Sequence, residues 1–509
     1  MSRVDNSSDF SVISRLIMKF KSSELADALQ MIHGELRHEE LCLAPWAPSG
    51  DDREIFSRLF PALNLRKLRG SEDPVDKVKR LWIYCFYSKY LKPNRFTRQM
   101  VNFLWRNLFL SFLKHKSDLF GRYRVRHWCT VMKLRDYVEL SSLSTTKVFD
   151  AVRIKACKTK VIPAKDLPYL DHPQDYYLFP PVYIAEIGDG IVYGGTNLVF
   201  VQDVVICHDL YDFDRDYTSE EFHGRHELDP GKMRIRLLRR DALAEIIPAA
   251  AVFVDACAAN YAHWLSEVLP RIASFCSIVK FEKIPIIVND GLHANIMDSL
   301  SAVVGSEREV IMLPVGVGIQ VRTLYVTSVT GYVPFGKRGK LLDHNHGLFH
   351  PSALDLLRRQ IFKFTDKLQP IVSPKKIYLR RNSDVRKLIN SLEIECQFAL
   401  HGYQFVDVER LTFLEQVNLF VNADEIVAPT GAGLVNAIFC KPETRITIFM
   451  SKHENMIYRY WLSMYATFNF AITNILGRIE KNYHRGIHGD YSLALSDISE
   501  FLNSNGGDK

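Results

Sequence analysis

The chain has 509 residues, 47% hydrophobic and 24% charged; this excludes a small disulfide-stapled domain or a disordered chain and predicts two or three domains, each with its own core. The formal net charge of +7 is a mild excess that suits anionic ligands or an anionic membrane surface and does not by itself argue for nucleic acid. Nine scattered cysteines, none with CxxC spacing, argue against a zinc knuckle or redox dithiol and for free thiols in a reducing compartment. Met1–Phe10 lacks the apolar core of a signal peptide, and no run of about 20 apolar residues occurs. The expectation is a cytoplasmic protein, or one peripheral on the inner membrane face.

Residues 1–155 are expected to form a mainly helical N-terminal region, because apolar residues recur at three- and four-residue spacing through Phe10–Ile32 and Val78–Met132. Between Lys77 and Lys116 no acidic residue occurs, and lysines and arginines interleave with rings such as Trp82 and Trp105. That mixture suits an anionic bilayer or a helical domain with a basic solvated face. From about residue 160, β-rich runs follow: Tyr176–Ile187, Gly190–Tyr193 and Leu198–His208, with turns expected at Gly188–Gly190 and Gly194–Gly195. Asp212, Asp214 and Asp216 have DxD form in a polar loop and read as turn residues.

Strands and helices then alternate. Strands are expected at Ala250–Val254, Ile284–Val288, Val310–Leu313 and Val321–Ser328, with helices at Tyr261–Val279 and Ala294–Val304. Gly331–His350 reads as a linker with incidental His344, His346 and His350. The alternation restarts with helix Ser352–Phe364, strand Lys376–Arg380 and helix Val385–Leu400. Strand Tyr403–Val408, helix Phe413–Val421, strand Glu425–Ala428, helix Gly433–Phe439 and strand Arg445–Met450 complete it. The fold class is therefore α/β, with two Rossmann-like lobes facing a cleft: 156–345 with a β-rich start, and 346–509.

Three clusters could carry chemistry. His263 and Glu267 are four apart, so one helix face presents both, as a base and its partner or as a structural pair. Arg381 follows a strand, and Arg386 and Asn390 come after it; guanidinium groups there could hold a diphosphate or form a surface charge run. Ala428–Asn436, with Gly431 and Gly433 between a strand and a helix, could bind an anion at the helix N-terminus or be an ordinary tight turn. With Glu454, the last cluster also resembles half a dinucleotide fingerprint. Too little chain follows Glu454 to complete a hydride-transfer enzyme.

Taken in this order, the clusters resemble glycosyltransferase family 61. The residues carrying the resemblance are Asn260, His263, Trp264, Glu267, Leu269, Pro270 and Arg271, then Arg381, Arg386 and Asn390, then Glu415 and Gln416, then Gly431–Leu434 and Asn436. The sequence departs from the family pattern at Thr430, where the family usually has His, and at Ser391, where it often has Glu. The resemblance implies a GT-B-like enzyme that transfers a hexosyl or pentosyl group from a nucleotide-sugar to an oligosaccharide or lipid-linked glycan, with inversion, in capsule- or O-antigen-type polysaccharide biosynthesis. His263 with Glu267 would then be catalytic. Arg381, Arg386, Asn390, Thr430, Gly431, Gly433 and Asn436 would bind donor, and Asn260, Trp264 and Arg271 would lie on the acceptor side. The scheme needs no metal or other cofactor, and nucleic acid is not an expected partner. A non-catalytic sugar- or nucleotide-binding scaffold of the same fold is the alternative.

Overall fold

The computed structural model describes residues 45–48, 61–68, 100, 128–155, 157–170, 176–214, 216–217, 226–237, 242–336, 347–365, 373–453, 456, 459–468, 470–481 and 487–505. The Phe10–Ile32 stretch, the Lys77–Lys116 segment apart from Met100, and Arg215, His344, His346 and Glu454 lie outside these residues. Among the described residues, no helix is long and apolar enough to cross a membrane.

The chain is a mixed α/β protein with two large sheets. In the first, Glu309–Leu313, Ile286–Asn289, Ala242–Val252 and Val317–Thr327 lie side by side and parallel. Asn64–Lys67 extends this parallel part at its edge. Antiparallel strands continue from Val317–Thr327 through Val182–Tyr193 and the hairpin Val199–Val201/Val204–Cys207. Arg66, on the edge strand, ion-pairs with Glu245 at 2.5 Å, so the long strands curl and close over the sheet's own face. Ile287, Ile311, Leu313, Val317 and Ile319 fill the space so enclosed.

The second sheet runs Gln404–Val406, Lys376–Leu379, Glu425–Pro429, Arg445–Ser451 and Ala471–Lys481, all parallel. Helices occupy the crossovers, as at Ser391–Leu400 and Phe413–Asn422. The latter starts on a capping box in which Thr412 and Glu415 satisfy each other's backbone N–H groups. One apolar core joins the two sheets through the helices between them, with Trp264, Ile272 and Ile286 on one side and Leu357, Phe413 and Ile426 on the other.

Both sheets have a point where successive connections leave in opposite directions. In the second, the chain goes from Lys376–Leu379 to Gln404–Val406 on one side, then to Glu425–Pro429 on the other. In the first, it goes from Ala242–Val252 to Ile286–Asn289 and Glu309–Leu313, while Val317–Thr327 lies on the opposite side. Crevices for ligands form outside the carboxyl ends of strands at such points.

Several local expectations change. Gly188–Gly190 is no turn: the strand Val182–Tyr193 runs through it. Asp189 takes a left-handed φ of 49°, and Gly190 leaves room for Leu324. Leu198–His208 is a hairpin broken at Gln202, whose φ is 50°. Cys129–Lys133, the end of an expected helical stretch, is a strand because it pairs with Val204–Cys207. Strands also cross the boundary expected at residue 155. Asn64–Lys67 and Cys129–Lys133 belong to the first sheet, and Lys160–Ile162 pairs with Ala471–Lys481 of the second.

Candidate active site

The expected helix Tyr261–Val279 is not uniform. One α-turn at Tyr261–His263 passes into a π-helical turn at Trp264–Val268, and α-helix resumes at Leu269–Cys276. Single π-turns inside helices are frequent at functional sites. Asn260 caps this helix: its Oδ1 accepts from the Ala262 N–H at 3.0 Å. His263 Nδ1 makes a very short contact with Glu267 Oε1. The other carboxylate oxygen of Glu267 accepts from the Val333 N–H at 3.2 Å. Phe335 stacks beside the imidazole, with centroids 6.0 Å apart. Burial pulls the His263 pKa down, but the Glu267 charge and hydrogen bond, with Asp255, outweigh it and raise the pKa overall.

These two residues open on a small, partly open cavity at the first sheet's switch point. Arg271, also expected on the acceptor side, lines it and pairs with Asp255 at 3.2 Å. Asp255 follows the strand Ala242–Val252, and its backbone is clamped by Asn289 through bonds of 2.9 Å in both directions. Spacing had not singled out Asp255; the signal was a polar residue just past an apolar strand. Trp264, the third acceptor-side expectation, is fully buried in the core, and its indole N–H donates to Ser299 Oγ at 2.8 Å. Trp264→Ala should therefore cost about 3–5 kcal/mol of folding stability, read by denaturant titration, with ligand affinity unchanged in the folded fraction.

The second sheet's switch point carries a larger cleft of about 440 Å³. Arg381 comes from the carboxyl end of Lys376–Leu379, and Gly431–Gly433 from that of Glu425–Pro429. Tyr261, His293 and Asn295 reach it from the first sheet's helices. The Arg381 guanidinium donates to Thr430 O at 3.1 Å and Ser383 Oγ at 3.3 Å, and its Nε is buried without a partner. Arg386, whose Nε is likewise buried and unpartnered, stands near Arg381 but does not line this cleft. Burial, and then Arg381, pull Arg386 down to about 10, so it stays cationic at neutral pH; burial also lowers Arg381. Neither has a carboxylate partner among the described residues. The two cations are thus crowded together without an ion-pair partner of their own among the described residues.

The helix expected over Val385–Leu400 starts only at Ser391. Before it, Arg386 has a left-handed φ of 56°, and Ile389 N–H donates to Tyr491 O at 2.8 Å. Arg386 and Asn390 therefore do not share a helix face. The Asn390 amide is engaged at both ends by the Leu493 backbone, at 2.9 and 3.2 Å, and Asn390 does not line the cleft. Thr430 is buried, its hydroxyl accepting from Trp461 Nε1 at 3.0 Å. Asn436 is fully buried: it accepts from Tyr261 OH at 2.8 Å and donates to Gln416 Oε1 at 2.7 Å. It thus fastens the glycine loop to the helix bearing His263. The Gly433 helix is 3₁₀ throughout, Ala432–Phe439.

Gly431 has a specific steric reason: a Cβ there would lie 2.5 Å from Arg381 Nη1. Gly431→Ala should leave stability nearly unchanged, since a side-chain tip can move, yet displace the guanidinium. Nucleoside diphosphate affinity should fall roughly tenfold, about one charge-assisted hydrogen bond, measurable by calorimetry. In the Asp212–Asp216 loop, Asp214 N–H donates to Asp212 Oδ1 at 3.0 Å and Asp212 N–H to Asp216 Oδ2 at 3.3 Å, and Asp216 Oδ2 also accepts from Tyr332 OH at 3.0 Å.

Residues 261–447 match the family model described as Glycosyltransferase 61. That matched segment contains both arginines, the glycine loop and the His263–Glu267 pair. No curated protein matches the chain.

Proposed function

We propose that the chain is a GT-B-type glycosyltransferase that binds a nucleotide-sugar with its diphosphate on Arg381 and Arg386 and transfers the sugar with inversion to a glycan hydroxyl. The observation that carries this reading is Arg381, half-buried without an ion-pair partner beside Gly431–Gly433 in the cleft at the second sheet's switch point, with the Arg386 cation close by. In the transfer, the acceptor hydroxyl loses its proton to His263 as its oxygen bonds to the anomeric carbon. The bond from that carbon to the diphosphate breaks, and the arginines stabilise the charge on the leaving group. Glu267 stabilises the imidazolium that forms. The loop between the strand Ala242–Val252 and the helix serves both places: Cys257 and His263 line the cavity, Ala259 and Tyr261 the cleft. The family resemblance supports an oligosaccharide or lipid-linked acceptor in surface-polysaccharide assembly.

A second reading, a binding module without turnover, is favoured by one observation. The position that usually holds His in the family is Thr430, whose hydroxyl is committed to Trp461. Melting the protein against UDP, GDP, CMP, their sugar conjugates and NAD(P) tests the donor site. A ligand at about 100 times its dissociation constant adds roughly 2.7 kcal/mol. A nucleotide of one sugar-carrier class should raise the melting temperature. A response to NAD(P) alone, or to none of the panel, would contradict the transferase reading.

A further inference from the structure

The cavity at the first sheet's switch point holds a second histidine that the reaction scheme does not use. His208 follows the strand Val204–Cys207 and lines the cavity together with His263, Asp255 and Arg271. Its ring lies 4.4 Å from that of Tyr332, and its Nδ1 is buried with no hydrogen-bond partner among the described residues. A buried imidazole nitrogen left unpaired is costly unless something bonds to it. The cavity's volume is about 40 Å³. At roughly 10–15 Å³ per water, its inner part admits about three or four waters or one hydroxymethyl group, not a whole sugar ring.

The charges here differ in kind from those in the cleft. Arg271 is matched by Asp255, and His263 by Glu267. Burial, then Arg271 and Lys133, push His208 down to about 3, so it is neutral. A neutral imidazole offers one donor and one acceptor. A charge-balanced, amphipathic pocket of this size suits an uncharged hydroxyl; an anion would find no spare cation.

We propose that this cavity, lined by His208 and His263, is a second binding subsite that takes one neutral hydroxyl or hydroxymethyl group of a sugar. Identifying that group as part of the glycan acceptor rests on the transferase reading; the subsite itself does not. His208 binds and orients the group, and His263 keeps the role of base.

The test uses the full chain labelled with ¹⁵N at histidine, titrated with methyl glucoside, galactoside and mannoside, and with glucuronate as the anionic counterpart. The neutral glycosides should shift the His208 imidazole signal, assigned by its loss in His208→Gln, and glucuronate should not. His208→Gln should bind the glycosides at least tenfold more weakly, while UDP or GDP raises its melting temperature as in wild type. His208→Asn provides the same comparison if glutamine disturbs folding. A His208 signal unmoved by every glycoside, or unchanged glycoside affinity in the variants, overturns the proposal. Loss of nucleotide binding in all proteins, with His208 still responding, overturns the donor reading instead and leaves the subsite standing.

Discussion

Arg381→Ala is expected to weaken nucleoside diphosphate binding by about 10–150-fold, the loss of 1.5–3 kcal/mol for charge-assisted hydrogen bonds, while the unliganded protein loses little or no stability. The two halves of this result have one cause. Arg381 and Arg386 are half-buried close together with their Nε atoms unpartnered, and Arg381 depresses the Arg386 pKa. Removing one cation relieves that repulsion in the empty protein. A structural arginine would behave oppositely: its loss would lower the melting temperature, as expected for Arg445, which pairs at 2.5 Å with buried Glu425. Calorimetric titration and a melting curve on the same variant separate the two cases.

Glu267→Gln is expected to lower kcat by roughly 10²–10⁴, the usual range for general acid–base catalysis, with donor affinity retained. The direction of the pH effect follows from the causes of the His263 shift. Burial lowers that pKa, and Glu267 is the main group raising it above the ordinary value. Without Glu267, the acidic limb of kcat/KM should move to lower pH. Stability should move with it. A histidine whose folded-state pKa is raised contributes stability that is fully present below its unfolded value, about 6.5, and lost as pH rises through the folded one. The melting difference between wild type and Glu267→Gln should therefore be largest in mildly acidic solution and narrow as the pH rises.

Much of the α/β alternation was legible from periodicity. Ala294–Val304 forms the helix expected there, and strands lie where Glu425–Ala428 and Arg445–Met450 were read. The features that make the sites were less legible, because they depend on contacts distant in sequence. Strand order does not show in a hydrophobic pattern, so neither switch point could be located. Trp264 sits in a motif with His263 and looks functional, yet its indole is enclosed against Ser299 from a later helix. Asn390 likewise spends its amide on Leu493, 103 residues away. Arg386 was assigned to a helix, but contacts with the C-terminal strand Asp490–Ser492 hold its segment out of one. His208 gave no signal beyond a polar residue ending a strand; only the fold brings it to the same cavity as His263.

The most direct test of glycosyl transfer is release of nucleoside diphosphate from whichever nucleotide-sugar stabilises the protein, followed in wild type and Glu267→Gln side by side. The expected result is that both bind the conjugate with similar affinity, and that the variant releases the diphosphate at least a hundredfold more slowly. Binding by wild type without release, in the presence of a panel of glycan acceptors, would contradict catalysis and leave a nucleotide-sugar-binding protein.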